Sequence, residues 1–153
     1  MHTQVIYAPA FQKPSGGLYL NSAQDNISSG VETLVNLDGI FSGFVDGIEN
    51  VITHRIVVNR SGFYFVIGSI SYKSPSVVAD KVYECRVRLN GNVISCGALH
   101  SSNTTVITAK VQRLIYCLAG DYFDLAAFQV TGVNTVDLLD GYRYTHLFVQ
   151  RVR

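Results

Sequence analysis

The stretch Gly62-Phe63-Tyr64-Phe65-Val66-Ile67-Gly68-Ser69-Ile70-Ser71-Tyr72 decides the fold. Its aromatic and β-branched residues read as a strand. Side chains of a strand point alternately to opposite sides, so Phe63, Phe65 and Ile67 share one face and Tyr64, Val66 and Ile70 the other. A half-buried strand alternates apolar with polar residues, but this one is apolar on both faces. Each face needs a cover: a partner sheet on one side, and a third layer or another subunit on the other. In a chain of 153 residues, the length of one domain, a second subunit is the economical cover. The stretch therefore points to a self-assembling β module, and to binding or structure rather than catalysis.

Hydrophobic residues make up 48% of the chain and charged residues 15%, against about 25% charged in an average protein. Lean charge fits a surface partly hidden in subunit contacts, and it also fits an ordinary β protein. The net charge is +1, with no basic run; Arg86 and Arg88, with Lys110 and Arg113, come nearest to a patch. Nucleic-acid binding calls for a clustered basic footprint, so it is not expected. The opening Met1-His2-Thr3-Gln4-Val5 lacks the charged and apolar regions of a secretory signal. No apolar run approaches the roughly 18 residues of a membrane span, so no membrane insertion is expected. The reading is a soluble protein made in a cytosol.

Outward from the central strand the chain divides in two. Residues 1–30 are punctuated by Pro9, Pro14, Gly16, Gly17 and Gly30, and carry two apolar beads, Val5-Ile6-Tyr7 and Leu18-Tyr19-Leu20. They read as an extended N-terminal arm. It is either a poorly ordered tail or an anchor that lies on a neighbouring protein through Val5, Ile6, Tyr7, Leu18, Tyr19 and Leu20. Residues 31–153 read as the folded domain, with strands over 31–37, 40–45, 51–58, 63–72, 81–89, 92–99, 104–118, 122–130 and 144–152, and loops over 73–80, 100–103 and 131–142. No helical period appears. Eight to ten short strands separated by turns imply an all-β antiparallel β-sandwich or jelly roll.

Asn90-Gly91 is a two-residue hairpin signal. Taken as the loop, it pairs residues whose numbers sum to 181, so Cys85 faces Cys96 on the core side with Tyr83 and Ala98. Hydrogen-bonded pairs place Cα atoms about 5.5 Å apart, within disulfide range. The two thiols are either reduced core cysteines or a bridge; Cys117 reads as a third core cysteine.

No chemistry-bearing constellation appears. His2, His54, His100 and His146 form no pair at ligand spacing. His146 alternates with Tyr144 and Phe148, as a packed or interface histidine does. There is no Gly-x-Ser-x-Gly elbow and no phosphate loop. Asp121 and Asp124 are weak candidates for calcium, and Asp121 after Gly120 is better read as a turn former. Asn26, Asn59 and Asn103 head Asn-x-Ser/Thr tripeptides, which matter only in a secreted chain. No catalytic residue, metal site or cofactor is expected, and the chain reads as a non-enzyme.

Three segments in order carry a resemblance. Gly62-Phe63-Tyr64-Phe65 resembles the glycine-aromatic-aromatic-Phe strand of C1q-type and TNF-like jelly rolls. Val87-Arg88-Leu89-Asn90-Gly91 resembles that family's strand ending in an Asn-Gly turn. Leu118-Ala119-Gly120-Asp121-Tyr122-Phe123-Asp124-Leu125 is similar to its Gly-Asp segment and following strand. The likeness spans about residues 31–153, although the family's closing Phe-Ser-Gly is not matched in 144–152. It implies a C1q/TNF-like jelly roll that forms a homotrimer about a three-fold axis, with Tyr64, Val66, Phe123 and Phe148 at the trimer interface. A head with a short arm and no collagen-like or heptad stalk is similar to viral, bacteriophage versions of the fold. The implied role is a structural protein at the virion surface, decorating a capsid or forming part of a spike or fibre. Its partners would be itself, the capsid shell or a fibre base, and a host surface receptor. The alternative is a receptor- or glycan-binding module, at a fibre tip or as a free-standing adhesin. Fold by itself does not fix function.

Overall fold

The structure, a computed structural model, describes residues 15–42, 48–132 and 135–152. They form β1 (Ser15–Tyr19), β2 (Gln24–Ile27), β3 (Thr33–Leu34), β4 (Gly39–Ile40), β5 (Ile48–Asn50), β6 (Arg55–Val57), β7 (Gly62–Tyr72), β8 (Val82–Leu89), β9 (Asn92–His100), β10 (Ile107–Cys117), β11 (Tyr122–Val130), β12 (Val136–Leu138) and β13 (His146–Arg151).

β7 is the axis of the first sheet. β10 pairs with it from Ile107↔Tyr72 to Cys117↔Gly62. On its other edge β13 takes residues 64–69 and β12 meets Tyr72. β1 then pairs with β13, β4 with β1, and β2 with β12. β11 is the axis of the second sheet, with β8 along one edge and β6 and β3 on the other. β5 flanks β6 and β9 flanks β8. Every pairing is antiparallel, and the two sheets face each other as an all-β jelly-roll sandwich.

The core fills the space between the sheets. Tyr64, Val66, Ile70 and Tyr72 of β7, with Leu147 and Val149 of β13, meet Phe123, Leu125 and Ala127 of β11 and Tyr83, Cys85 and Val87 of β8; all are buried. Gly68 sits in this row because a Cβ there would lie 2.8 Å from both Leu125 Cδ1 and Val87 Cγ2. Tyr72 crosses the core. Its ring centroid lies 4.9 Å from that of Tyr83, and its hydroxyl reaches the Glu84 and Phe128 carbonyls at 2.6 and 3.1 Å. Burial holds that hydroxyl protonated far above the usual tyrosine range.

The expected arm over 1–30 is corrected from residue 15 onward. β1 and β2 are full members of the first sheet, and Leu18 and Leu20 are core residues. Short polar-flanked beads look like a tail because their partners, β13 and β12, stand at the far end of the chain. Val5, Ile6 and Tyr7 lie outside the described residues. Residues 51–54 are a turn rather than strand. The Asn50 carboxamide oxygen accepts from the backbone N–H groups of Ile52 and Thr53 at 3.0 Å each, which bends the chain between β5 and β6. The expected loop over 131–142 contains β12. Expected strand residues 43–45 fall outside the described residues.

The cysteine pairing is also corrected. The Asn90-Gly91 turn has the positive φ values of its type, 52° and 79°, and the first pairs, Leu89↔Asn92 and Arg88↔Val93, run as expected. A β-bulge then shifts the register: Val87 pairs with Ser95, Arg86 with Cys96 and Cys85 with Gly97. One extra residue turns every later side chain of β9 over. Cys85 stays in the core, while Cys96 is exposed on the opposite face. All three cysteines are free, and only Cys85 and Cys117 are buried.

Candidate interaction surface

The outer face of the first sheet can be read from its register. β7 residues of odd number point away from the second sheet, and each heads a row across the strands. Tyr116 stands beside Phe63, their rings packing edge to face at 5.3 Å. The next row runs Leu114, Phe65, Gln150, Ser15; the third runs Gln112, Ile67, Phe148, Gly17. The fourth is Lys110, Ser69, His146, Tyr19. The lower rows are aromatic and aliphatic at their centre, with Gln112, Gln150 and Ser15 towards the flanks, and Phe63 is 46%, Leu114 55% and Tyr116 53% exposed. Aromatic side chains left in water in adjoining rows form a contiguous apolar patch, the usual mark of an interaction surface.

The upper rows are closed by residues 139–145. The Tyr144 carbonyl accepts from the Ser69 and Ser71 hydroxyls at 2.9 and 3.2 Å, and the Thr145 hydroxyl donates to the Leu139 carbonyl at 2.8 Å. Beside this bridge Tyr19, Phe41 and Tyr142 pack edge to face with centroids 5.3 to 6.4 Å apart. The His146 ring lies 6.1 Å from that of Phe41. Burial lowers the His146 pKa below the usual histidine range and the Lys110 charge adds to this, while the Tyr142 carbonyl opposes. Its Nδ1 is buried without a hydrogen-bond partner.

The second sheet has a different outer face. Arg88 Nε donates to Asp124 Oδ1 at 2.6 Å, and Arg55 flanks the other carboxylate oxygen at 3.5 Å. Glu32 joins Arg88 to Arg86 at 3.1 and 2.9 Å, and Arg86 continues to Glu84 at 2.7 Å. Arg55 and Arg86 also lie over the Tyr122 and Phe128 rings, 4.0 and 3.8 Å from the centroids. Burial raises the Glu32 pKa, but the hydrogen bonds and charges of Arg86 and Arg88 outweigh it and hold that carboxyl below its ordinary range. These arginines are internally matched, so Arg86 and Arg88 offer no free basic patch.

The two ends of the sandwich also differ. Residues 73–81, 101–106, 131–132, 135 and 139–145 follow or precede the Tyr72 end of β7 and gather at one end. Residues 58–61, 90–91 and 118–121 gather at the other, where Ser15 enters β1 beside Gln150. Asp121 joins two turns at that second end: one carboxylate oxygen accepts from the Asn90 amide and the other from the Leu118 N–H, both at 2.8 Å. Asp121 and Asp124 each have protein partners, and no group of three metal-ligating side chains occurs among the described residues.

Of the four expected interface residues, Phe148 lies on the outer face. Tyr64, Val66 and Phe123 are corrected: they are buried between the sheets, where no second subunit reaches them. Among the six arm residues, Leu18 and Leu20 are core, Tyr19 is on the outer face, and Val5, Ile6 and Tyr7 lie outside the described residues. Phe63, Phe65, Ile67, Leu114 and Tyr116 were not singled out as interface residues. The signal for them was present. Their row on β7 ends in Ser69 and Ser71, whereas the row through Tyr64 is apolar to Tyr72 and broken only by Gly68, a mark of close sheet approach.

No family model and no curated protein matches the chain. Solved structures do. The Eiger TNF of S. frugiperda superposes with a TM-score of 0.70 at 12% identity, covering 93% of this chain and 94% of that one. Murine APRIL at pH 5.0 gives 0.69 at 9% identity, covering 92% and 100%. The globular domain of a zebrafish complement 1qA protein gives 0.65 at 10% identity, covering 93% and 98%. The chain therefore has the jelly-roll fold seen in TNF and C1q domains, at identities where fold is what the likeness establishes.

Proposed function

We propose that this chain is a non-enzymatic interaction module that self-associates as a homotrimer through the outer face of its first sheet. The supporting observation is the exposed Phe63, Tyr116 and Leu114 of the first two rows, continued by Phe65, Ile67 and Phe148, on a TNF/C1q-like sandwich. A second copy is the matching occupant. The patch is apolar, whereas the opposite face is an internally neutralised ion network that needs no cover. The resemblance read from the sequence implies the three-fold arrangement, which also closes exposed sheet edges.

The role proposed for the trimer is structural, at the surface of a virus particle, as a capsid decoration or part of a spike or fibre. The polarity of the sandwich supports it. Ser15 enters β1 at the end opposite the described residues of loops 73–80, 100–103 and 131–142, which supports an N-terminal attachment, proposed through Val5, Ile6 and Tyr7, that leaves those loops pointing outward. The same polarity favours a second reading, a receptor- or glycan-binding module whose ligand meets those loops.

Light scattering after size exclusion tests the assembly. A mass near three times 16.8 kDa is expected, and Leu114→Lys is expected to give a folded monomer. A wild-type monomer would overturn the proposal. Removing residues 1–14 should keep the trimer and abolish co-sedimentation with particles; unchanged co-sedimentation would overturn the anchoring role.

A further inference from the structure

Resting on the self-association reading, we infer that His146 is a proton-sensitive latch: its neutral imidazole permits the outer face of the first sheet to be covered by a second copy, and its protonation opposes that contact. His146 stands in the fourth row of the outer face, directly above Phe148 on β13 and across β7 from Lys110. It is where the apolar patch gives way to the polar bridge of residues 139–145, so covering the patch brings a second copy up to the ring.

Around the ring, burial and Lys110 favour the uncharged form, and the Tyr142 carbonyl favours the charged one. β7 presents Ser69, whose hydroxyl is already given to the Tyr144 carbonyl. β1 presents Tyr19, and the Phe41 ring stands 6.1 Å away. β10 presents the cation Lys110. The covering loop carries Asp140, Tyr142, Arg143 and Tyr144, with Arg143 Nε bonded to the Tyr142 hydroxyl at 3.0 Å. None of the ion pairs among the described residues involves His146. Its Nδ1 is buried with no hydrogen-bond partner, and the Tyr142 carbonyl is the acceptor that draws on the ring. A proton added to the ring would be a largely buried charge with no ion-pair partner among the described residues, in register with a lysine.

The sign follows. Burial already holds the pKa below its ordinary value, with Lys110 adding to it. A second copy removes more water and pushes it lower, so assembly releases protons. The contribution to assembly is complete above the ordinary histidine range, near 6.5, and is lost as pH falls through the lower value of the assembled state. Each unit of further depression makes a tenfold difference per subunit once the pH is below both values.

The test is sedimentation equilibrium of the full chain at pH 7.5 and pH 5.0, with near-UV circular dichroism to check that the subunit stays folded. The dissociation midpoint is expected at least about tenfold higher in concentration at pH 5.0. In His146→Gln it should differ little between the two pH values, whatever His2, His54 and His100 do. Equal assembly of wild type at both pH values, or the same pH dependence in His146→Gln, would overturn the latch while leaving the homotrimer standing. A monomer at both pH values would overturn the homotrimer, and the latch with it. If His146→Gln does not fold, NMR titration decides. The His146 pKa in wild-type assembly must lie below that in the Leu114→Lys variant, and equal values would overturn the latch.

Discussion

Replacing Gly68 with Ala tests the packing that holds the two sheets together. The added Cβ would lie 2.8 Å from Leu125 Cδ1, 2.8 Å from Val87 Cγ2 and 3.1 Å from Cys85 Sγ. All three neighbours are at most 1% exposed, so none can turn out to solvent. Overpacking of this kind costs about 1–3 kcal/mol. Replacing a mid-strand glycine returns roughly 0.5–1 kcal/mol of backbone entropy. The neighbours are fully enclosed, so the strain should fall at the upper end of its range, for a net loss of about 2–2.5 kcal/mol. For a chain of this size that is about 4–10 °C in Tm, at 2–4 °C per kcal/mol. The assay is thermal and urea unfolding at one fixed protein concentration, since self-association shifts apparent stability. Val87→Ala added to Gly68→Ala should cost less than Val87→Ala alone, with a coupling of about 0.5 kcal/mol or more. A neutral or stabilised Gly68→Ala, or strict additivity with Val87→Ala, would refute the close-approach reasoning.

Other predictions follow from the same geometry. Under native conditions Cys96 should be alkylated by a thiol reagent well before Cys85 and Cys117, read by peptide mass spectrometry, because burial pushes the thiols of Cys85 and Cys117 up, the latter to about 11. Asp124→Ala should destabilise by about 2 kcal/mol. It leaves Arg88 and Arg55 without their shared carboxylate, a loss smaller than for fully buried pairs because both arginines keep some solvent contact. Glu32 is held below its ordinary value of 4.5, so its contribution is present above that value and lost as pH falls through the lower folded one. Acid unfolding of Glu32→Gln should therefore show a shallower loss of stability below pH 4.5 than wild type, and parallel curves would count against the Arg86–Glu32–Arg88 bridge.

Much of the fold was legible locally. The strand over residues 62–72, the Asn90-Gly91 turn and the Gly120-Asp121 turn are encoded by neighbours in sequence, and each forms as read. The failures share a cause. Ser15–Tyr19 is stabilised by pairing with His146–Gln150, a contact that no window of sequence contains. The bulge in β9 is equally invisible. A turn sets the register of the first pairs only, and one added residue moves Cys96 from the core to the surface.

What the chain determined by itself is that residues 62–72 form a strand apolar on both sides, within an all-β sandwich whose polarity comes from neutral side chains. It did not determine which side would be the core. That choice was made by tertiary packing. The Tyr64–Tyr72 row, with Gly68 at its middle, is the one that lets Leu125 and Val87 approach, while the Phe63 row ends in serines that bind the Tyr144 carbonyl. Period-two alternation specifies that two faces exist. Only the partner strands, brought together from distant parts of the chain, decide which of them is left exposed.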